Sequence, residues 1–235
     1  MKHGFKTFCV ALVAAAAFSI PAKAADMAVK ARPVVAPVEV YNWTGFFVGA
    51  EVGYLSGDVV NNCPAPGCPA RGVDSFMGGV QAGYNWQAPG SNWVLGLWAN
   101  VPIVPVKLSD IAIAPGTMNA EIQWAVAGGA RVGYAMGRFL PFVFGGVVVG
   151  GARAQNAFIA PGVWEEKTHV GYTVGGGLEY AIDRNWSAHI RYAYADFGNE
   201  AYPIVYAPNE SFGFRAHSTT VGINYRFGGP VVAKY

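Results

Sequence analysis

Beyond its first two dozen residues the sequence has no hydrophobic run of the roughly 18 residues that marks a membrane helix. Val143 to Gly151 comes nearest and is too short. Charge is scarce as well: 13% of the 235 residues are charged, against about 25% in typical soluble domains. Clustered Lys and Arg are missing, which removes the electrostatic basis for binding nucleic acid. The 4 histidines are scattered without metal-ligand spacing. Gly175-Gly176-Gly177 is not followed by the Lys and Ser or Thr of a phosphate loop. No cofactor is indicated. An apolar, charge-poor chain without spanning helices has two outlets: a large core in water, or a closed β-barrel in a membrane.

Only 3 cysteines are present. Cys9 lies in an apolar run from Phe8 to Ile20, preceded by Lys2 and Lys6 and followed by Pro21-Ala22-Lys23-Ala24. A basic start, a short apolar stretch and an A-x-A exit predict a signal peptide over residues 1–24, and therefore export. That segment holds three of the 16 Lys and Arg, so 13 remain against 14 acidic residues and the net charge becomes −1. The other cysteines, Cys63 and Cys68, sit among Pro64, Pro66, Gly67 and Pro69. In an exported chain, a pair in so irregular a stretch is expected to form a loop disulfide. Residues 25–42, rich in Ala, Val and Pro, read as an extended periplasmic leader.

From Trp43 onward a period of two appears, the signature of strands with unlike faces. In the first run Phe46, Val48, Ala50, Val52 and Tyr54 oppose Gly45, Phe47, Gly49, Glu51 and Gly53. The second sets Val80, Ala82, Tyr84 and Trp86 against Gln81, Gly83 and Asn85. The third sets Trp93, Leu95 and Leu97 against Gly96, Trp98 and Asn100. Pro102 and Pro105 then predict a loop to about Asn119. A fourth run sets Trp124, Val126, Val132 and Tyr134 against Gly129, Arg131 and Gly133. A fifth, about Leu140–Ala152, is apolar on both parities and its faces stay unassigned. The sixth opposes Tyr172, Val174, Leu178 and Tyr180 to Thr173, Gly175 and Glu179. The seventh opposes Trp186, Ile190 and Tyr192 to Ser187, His189 and Arg191, and a long loop is predicted over about Asp196–Phe214. The eighth opposes Val221, Ile223, Tyr225 and Phe227 to Thr220, Asn224 and Arg226.

Eight strands with alternating long and short connections predict an all-β fold, an eight-stranded antiparallel up-and-down transmembrane barrel over residues 43–228. Residues 229–235 form a C-terminal tail. Aromatics gather at the run ends. Trp43, Trp86, Trp93, Tyr134, Phe142, Tyr180, Trp186, Tyr225 and Phe227 are expected in a lower girdle, and Tyr54 and Trp124 in an upper one. The face carrying Glu51, Arg131, Glu179, His189, Arg191 and Arg226 must point inward, because a basic residue facing mid-membrane lipid costs roughly 2–4 kcal/mol. Opposite charges inside are expected to pair. The alternation also predicts that Arg at position 48 disturbs insertion far more than Ser at position 49.

Several stretches resemble a known family. They are Asn42-Trp43-Thr44-Gly45-Phe46-Phe47-Val48-Gly49, Gly133-Tyr134-Ala135 with Phe139-Leu140-Pro141-Phe142-Val143, Val174-Gly175-Gly176-Gly177-Leu178-Glu179-Tyr180-Ala181, Asn185-Trp186-Ser187-Ala188, and Val221-Gly222-Ile223-Asn224-Tyr225-Arg226-Phe227-Gly228. Their order is similar to that in the small outer-membrane barrels of alphaproteobacteria of the RopB type, related in fold to the OmpA membrane domain. The resemblance implies a porin-like protein of the cell outer membrane, in contact with the lipid bilayer and lipopolysaccharide and inserted by the barrel-assembly machinery. It also implies a role in envelope integrity and surface contact, with long loops offered to a host or surface ligand. This chain departs from the family at Gly129, where a further arginine is common, and at His189, Arg191 and Thr220. Either Phe227 or Tyr235 would serve as the terminal aromatic read in assembly.

The leading functional expectation is thus a structural surface barrel without catalysis; the alternative is a low-conductance porin for small solutes. A soluble ligand-binding barrel is a further rival. The enzymatic alternative is a lipid-modifying barrel using Ser187 with His189, or His217 with Ser218. A nucleophile there would need a positioned base, an orienting acid and an oxyanion site, and a lipid hydrolase would show its site to lipid, whereas Ser187 and His189 are expected to face the lumen.

Overall fold

The computed structural model describes residues 41–61, 71–103, 107–112, 117–156, 158, 160–203 and 211–227. The proposed signal peptide, most of the leader, both loop cysteines and the tail lie outside these residues. Among these described residues nine strands follow in chain order: β1 (Gly45–Asn61), β2 (Arg71–Gln87), β3 (Trp93–Ile103), β4 (Lys107–Ala112), β5 (Thr117–Tyr134), β6 (Phe139–Asn156), β7 (Glu165–Ala181), β8 (Trp186–Ala201) and β9 (Ser211–Phe227). Every pairing is antiparallel. β1 joins β2 and β9, for instance Val48 opposite both Ala82 and Tyr225. β3 closes on β5 with Leu95 opposite Val132. The result is a closed barrel of eight staves, with β4 added to the far half of β5. Along the paired lengths of the staves, closure satisfies the backbone groups that an open sheet edge would leave unpaired in lipid.

The three short turns lie at one end. Ser91 N–H donates to the Ala88 carbonyl at 3.0 Å, and Gly90 takes a positive φ of 73° there. Met136 and Phe139 bridge a tight turn through Gly137 at φ 63°. In the third, Asp183 Oδ1 accepts from the backbone N–H groups of Asn185 at 2.8 Å and Trp186 at 2.7 Å.

Staves such as β1 and β7 contain 17 residues, whereas about 9–11 suffice to cross a bilayer. The surplus lies at the end away from the short turns, where the outer surface turns polar. Arg153 Nη2 lies 2.6 Å from Glu121 Oε2, and Arg215 Nε lies 2.9 Å from Asp196 Oδ2.

The structure corrects two loop readings of the sequence and supplies an assignment that parity left open. The loop expected from Pro102 to Asn119 contains β4 and the start of β5. β4 is six residues long, too short to show a period, and Pro102 stays inside β3 opposite Gly79. The loop expected over Asp196–Phe214 is shorter, because β8 runs to Ala201 and β9 starts at Ser211, with a register irregularity between Asp196 and Asn199. Finally, the unassigned stave β6 faces inward with Leu140, Phe142, Phe144 and Val148, while Val143 and Val147 face out. Both of its faces are apolar because its inner side packs against rings and guanidinium planes, which is why parity alone could not separate them.

Candidate functional site

The lumen is where the sequence concentrates its unusual chemistry, and it is filled in layers. At the short-turn end, Trp43 is 0% exposed and packs with Tyr41, Val94, Leu140 and Ala181 as a floor. Its backbone N–H donates to Gln87 Oε1 at 2.9 Å and its indole to the Gly137 carbonyl at 3.2 Å. Trp43 was expected in the lower girdle and does not belong to it. It precedes β1, so the chain can fold it back across the lumen mouth. Phe142 likewise leaves the girdle: it is buried inside, with the Arg131 guanidinium 5.1 Å from its ring centre. Tyr41, assigned to the leader, accepts a hydrogen bond from Arg226 Nη1 at 2.6 Å.

Above the floor, Glu179 organises the first charged layer. Arg131 Nη2 reaches Glu179 Oε2 at 3.0 Å. Ser187 Oγ donates to Glu179 Oε1 at 2.6 Å, and Asn224 Nδ2 donates to the same oxygen at 3.0 Å. Arg226 Nη2 lies 3.8 Å from it, with its guanidinium stacked over the Trp43 ring at 4.6 Å. Arg131 also donates from Nε to Asn85 Oδ1 at 2.8 Å.

Glu51 organises the second layer. Arg191 Nη2 binds Glu51 Oε1 directly. Asn100 Nδ2 donates to that oxygen at 3.0 Å, while Thr220 Oγ1 and His189 Nε2 meet Oε2 at 3.2 and 3.3 Å. Gln81 joins the two layers, donating to Asn224 Oδ1 at 2.7 Å and accepting from Arg191 at 3.5 Å. The six charged residues singled out in the sequence therefore stand in two clusters, each centred on one carboxylate. Their neutral partners were legible only as inward parity, because nothing in a sequence tells which amide reaches which charge across the barrel.

The top of the lumen carries an apolar cluster beside the buried polar residues Asn156, Glu165 and His169. Leu55, Met77, Tyr202, Phe212 and Phe214 are buried together there, and Tyr202 OH meets His169 Nε2 at 2.8 Å. Burial among these side chains, with Glu165 and Glu200 nearby, pushes the Tyr202 hydroxyl well above its ordinary pKa.

The outward residues carry the opposite chemistry. Trp86, Trp93, Trp186 and Phe227 are exposed at the short-turn end, and Tyr134, Tyr180 and a half-buried Tyr225 stand with them. Trp93 meets Tyr134 edge-on at 5.3 Å, and Tyr225 lies between Trp186 and Phe227. Tyr54 and Trp124 are exposed toward the other end, with Val52, Val80, Ile190 and Val221 among the aliphatics of the outer wall.

The enzymatic candidates are not brought together as a catalytic set. Ser187 is committed to Glu179 and His189 to Glu51, two different carboxylates. His217 Nδ1 instead meets Tyr192 OH at 2.6 Å on the exposed side of the wall.

A closed barrel with an apolar outer belt, aromatic ends and charges turned inward is a transmembrane β-barrel of the outer-membrane type. Residues 10–227 match the model of the outer membrane protein beta-barrel domain, and the chain belongs to that family. It is 33% identical over 234 residues to the 31 kDa outer-membrane immunogenic protein of Brucella melitensis, covering 91% of this chain and 96% of that one. It is 29% identical to the 22 kDa outer membrane protein of Rhizobium leguminosarum over 79% of each chain. Among solved structures, Neisserial surface protein A shares the fold, with a TM-score of 0.51 at 14% identity, covering 78% of this chain and 98% of that one. The protein is therefore an outer-membrane protein.

Proposed function

We propose that this barrel is a sealed structural element of the outer membrane that supports envelope integrity and presents its outer loops for surface contact, without catalysis. One observation carries the reading: the lumen is crossed in succession by the Trp43 floor, the Glu179 cluster, the Glu51 cluster and an apolar cap. At the floor and at the two carboxylate layers the narrow interior of an eight-stranded barrel is taken up by side chains. Here those side chains are tied to one another, so an ion would have to break buried charge pairs to pass. The relatives named as immunogenic outer-membrane proteins fit a surface-exposed role. Export through cleavage after Ala24, delivery by the barrel-assembly machinery, contact with lipopolysaccharide and a Cys63–Cys68 disulfide belong to the same reading.

Single-channel recording of the refolded protein in planar bilayers tests it. The sealed barrel gives no unitary steps. Steady steps that grow in Arg131→Ala would establish the alternative, a low-conductance porin.

A further inference from the structure

The wall of the barrel is interrupted at one seam. β3 and β5 pair from Trp93 opposite Tyr134 to Asn100 opposite Ala127. Farther out, β5 pairs with β4 from Glu121, opposite Lys107. Among the described residues, no pairing joins Val101–Ile103 to Ile122–Val126. Two local features widen the lapse. Pro102 has no N–H to offer, and β5 slips its register against β6 between Ile122 and Trp124.

A cavity of about 470 Å³ lies at this seam, within the range of pockets that hold small ligands. Its lining crosses the wall. Val101, Ile103 and Trp124 are 47%, 62% and 48% exposed on the outer, lipid-facing surface. Phe144, Ala193 and Ala216 belong to the lumen. Residues of opposite parity can share one cavity only where the sheet between them is open. The space exists because inward positions at this height carry alanine, at 125 and 127 on one side and at 193 and 195 on the other. The floor holds Arg191 and Asn100, both committed to Glu51, so the cavity does not continue toward the short-turn end.

We infer that the β3–β5 seam is a lateral entrance through which the hydrocarbon chain of an amphiphile in the outer leaflet enters this cavity. The chemistry selects that ligand class. The lining is dominated by aliphatic and aromatic side chains, which favour a hydrocarbon tail. The mouth opens beside Trp124, at the edge of the apolar belt. Immediately beyond it the outer surface carries exposed Gln123, hydrogen-bonded to Glu166 at 3.4 Å, and the Glu121–Arg153 pair. The head group stays at this polar rim while the tail turns inward. The tail can be that of a membrane phospholipid or of a free fatty acid.

Bromine quenching separates these sources, using full-length protein in nanodiscs. A variant that keeps Trp98 as its single tryptophan reports on the lumen side of the seam, where Trp98 is buried and lines the cavity. A matching variant that keeps only Trp43 reports on the sealed floor. Loss of Trp98 fluorescence with a brominated free fatty acid, Trp43 being unaffected, identifies the free acid as occupant. Loss with brominated phospholipid alone identifies the bilayer chain. In either case Ala193→Phe, which fills the cavity, abolishes the loss. Equal quenching of Trp98 and Trp43 by both probes, or quenching that survives Ala193→Phe, overturns the inference. Should the single-tryptophan proteins not fold, saturable binding of a dansyl fatty acid to the wild type serves instead. Ala193→Phe or Ala125→Leu must then eliminate it, and Ala50→Phe, on the outer face away from the seam, must not. Absence of saturable binding overturns the inference equally.

Discussion

Arg131 on β5 reaches past the intervening stave to Glu179 on β7, Nη2 to Oε2 at 3.0 Å, with both side chains almost wholly buried. Neither residue has water to fall back on. Removing one partner of such a pair leaves an uncompensated buried charge and typically costs about 3–5 kcal/mol. Arg131→Ala is therefore expected to lower stability by roughly that amount in urea titrations of vesicle-inserted protein. Arg131→Met combined with Glu179→Gln should recover much of the loss. If the double variant is as unstable as the single one, the pair is not what holds this layer.

The outward face admits a sharper test than alternation suggests. Val48→Arg puts a charge on the lipid-facing wall, with an expected penalty of roughly 2–4 kcal/mol near mid-membrane. Val48→Leu should be near neutral. Gly49→Ser, the mild comparison suggested by the sequence, is not mild: a Cβ there would overlap Asn224 Oδ1 and lie 2.5 Å from the Ile223 carbonyl. All three are expected to separate in the fraction of heat-modifiable, unboiled protein on gels, with Val48→Leu alone matching the wild type.

Trp43 tests the sealing in layers. Trp43→Ala removes a fully buried ring, a change that typically costs about 3–5 kcal/mol. The two carboxylate-centred layers remain, so bilayer recordings should still show no unitary steps. Conductance from this single change would mean that the floor alone closes the lumen.

The turn at Asp183 gives a pH dependence. Backbone N–H groups of Trp186 and Asn185 hold its carboxyl below the ordinary value. A group with a lowered folded-state pKa contributes stability that is present above its unfolded value and lost as pH falls through the folded one. Asp183→Ala should therefore be less stable to urea than the wild type at neutral pH. The difference should fade below the usual carboxylate range, as the wild type itself becomes protonated. A constant difference across that range would place the effect elsewhere in the turn.

The loop cysteines are checked by alkylation. Protein recovered from outer membranes is expected to resist maleimide until reduced, and then to take up two labels, at Cys63 and Cys68. Labelling without reduction would remove the disulfide.

The barrel itself was legible in the sequence because a strand has a period of two and lipid tolerates only one kind of side chain. Val48, Ala50 and Val52 against Gly49, Glu51 and Gly53 settle which side meets hydrocarbon before any contact is known. The charges at Glu51, Arg131, Glu179, His189, Arg191 and Arg226 could only turn inward, for the same reason. Tertiary structure decided what the period cannot carry. Trp43 looks like a girdle residue from its position, yet it swings under the barrel because it precedes the first ladder bond and the floor is otherwise open. Arg131 chooses Glu179, and Arg191 chooses Glu51, through the stagger of staves far apart in sequence. The gap beside Trp124 arises where two ladders on β5 fail to meet. Alternation is a local property of the chain, whereas partner choice, sealing and the open seam depend on how distant staves align when the sheet closes.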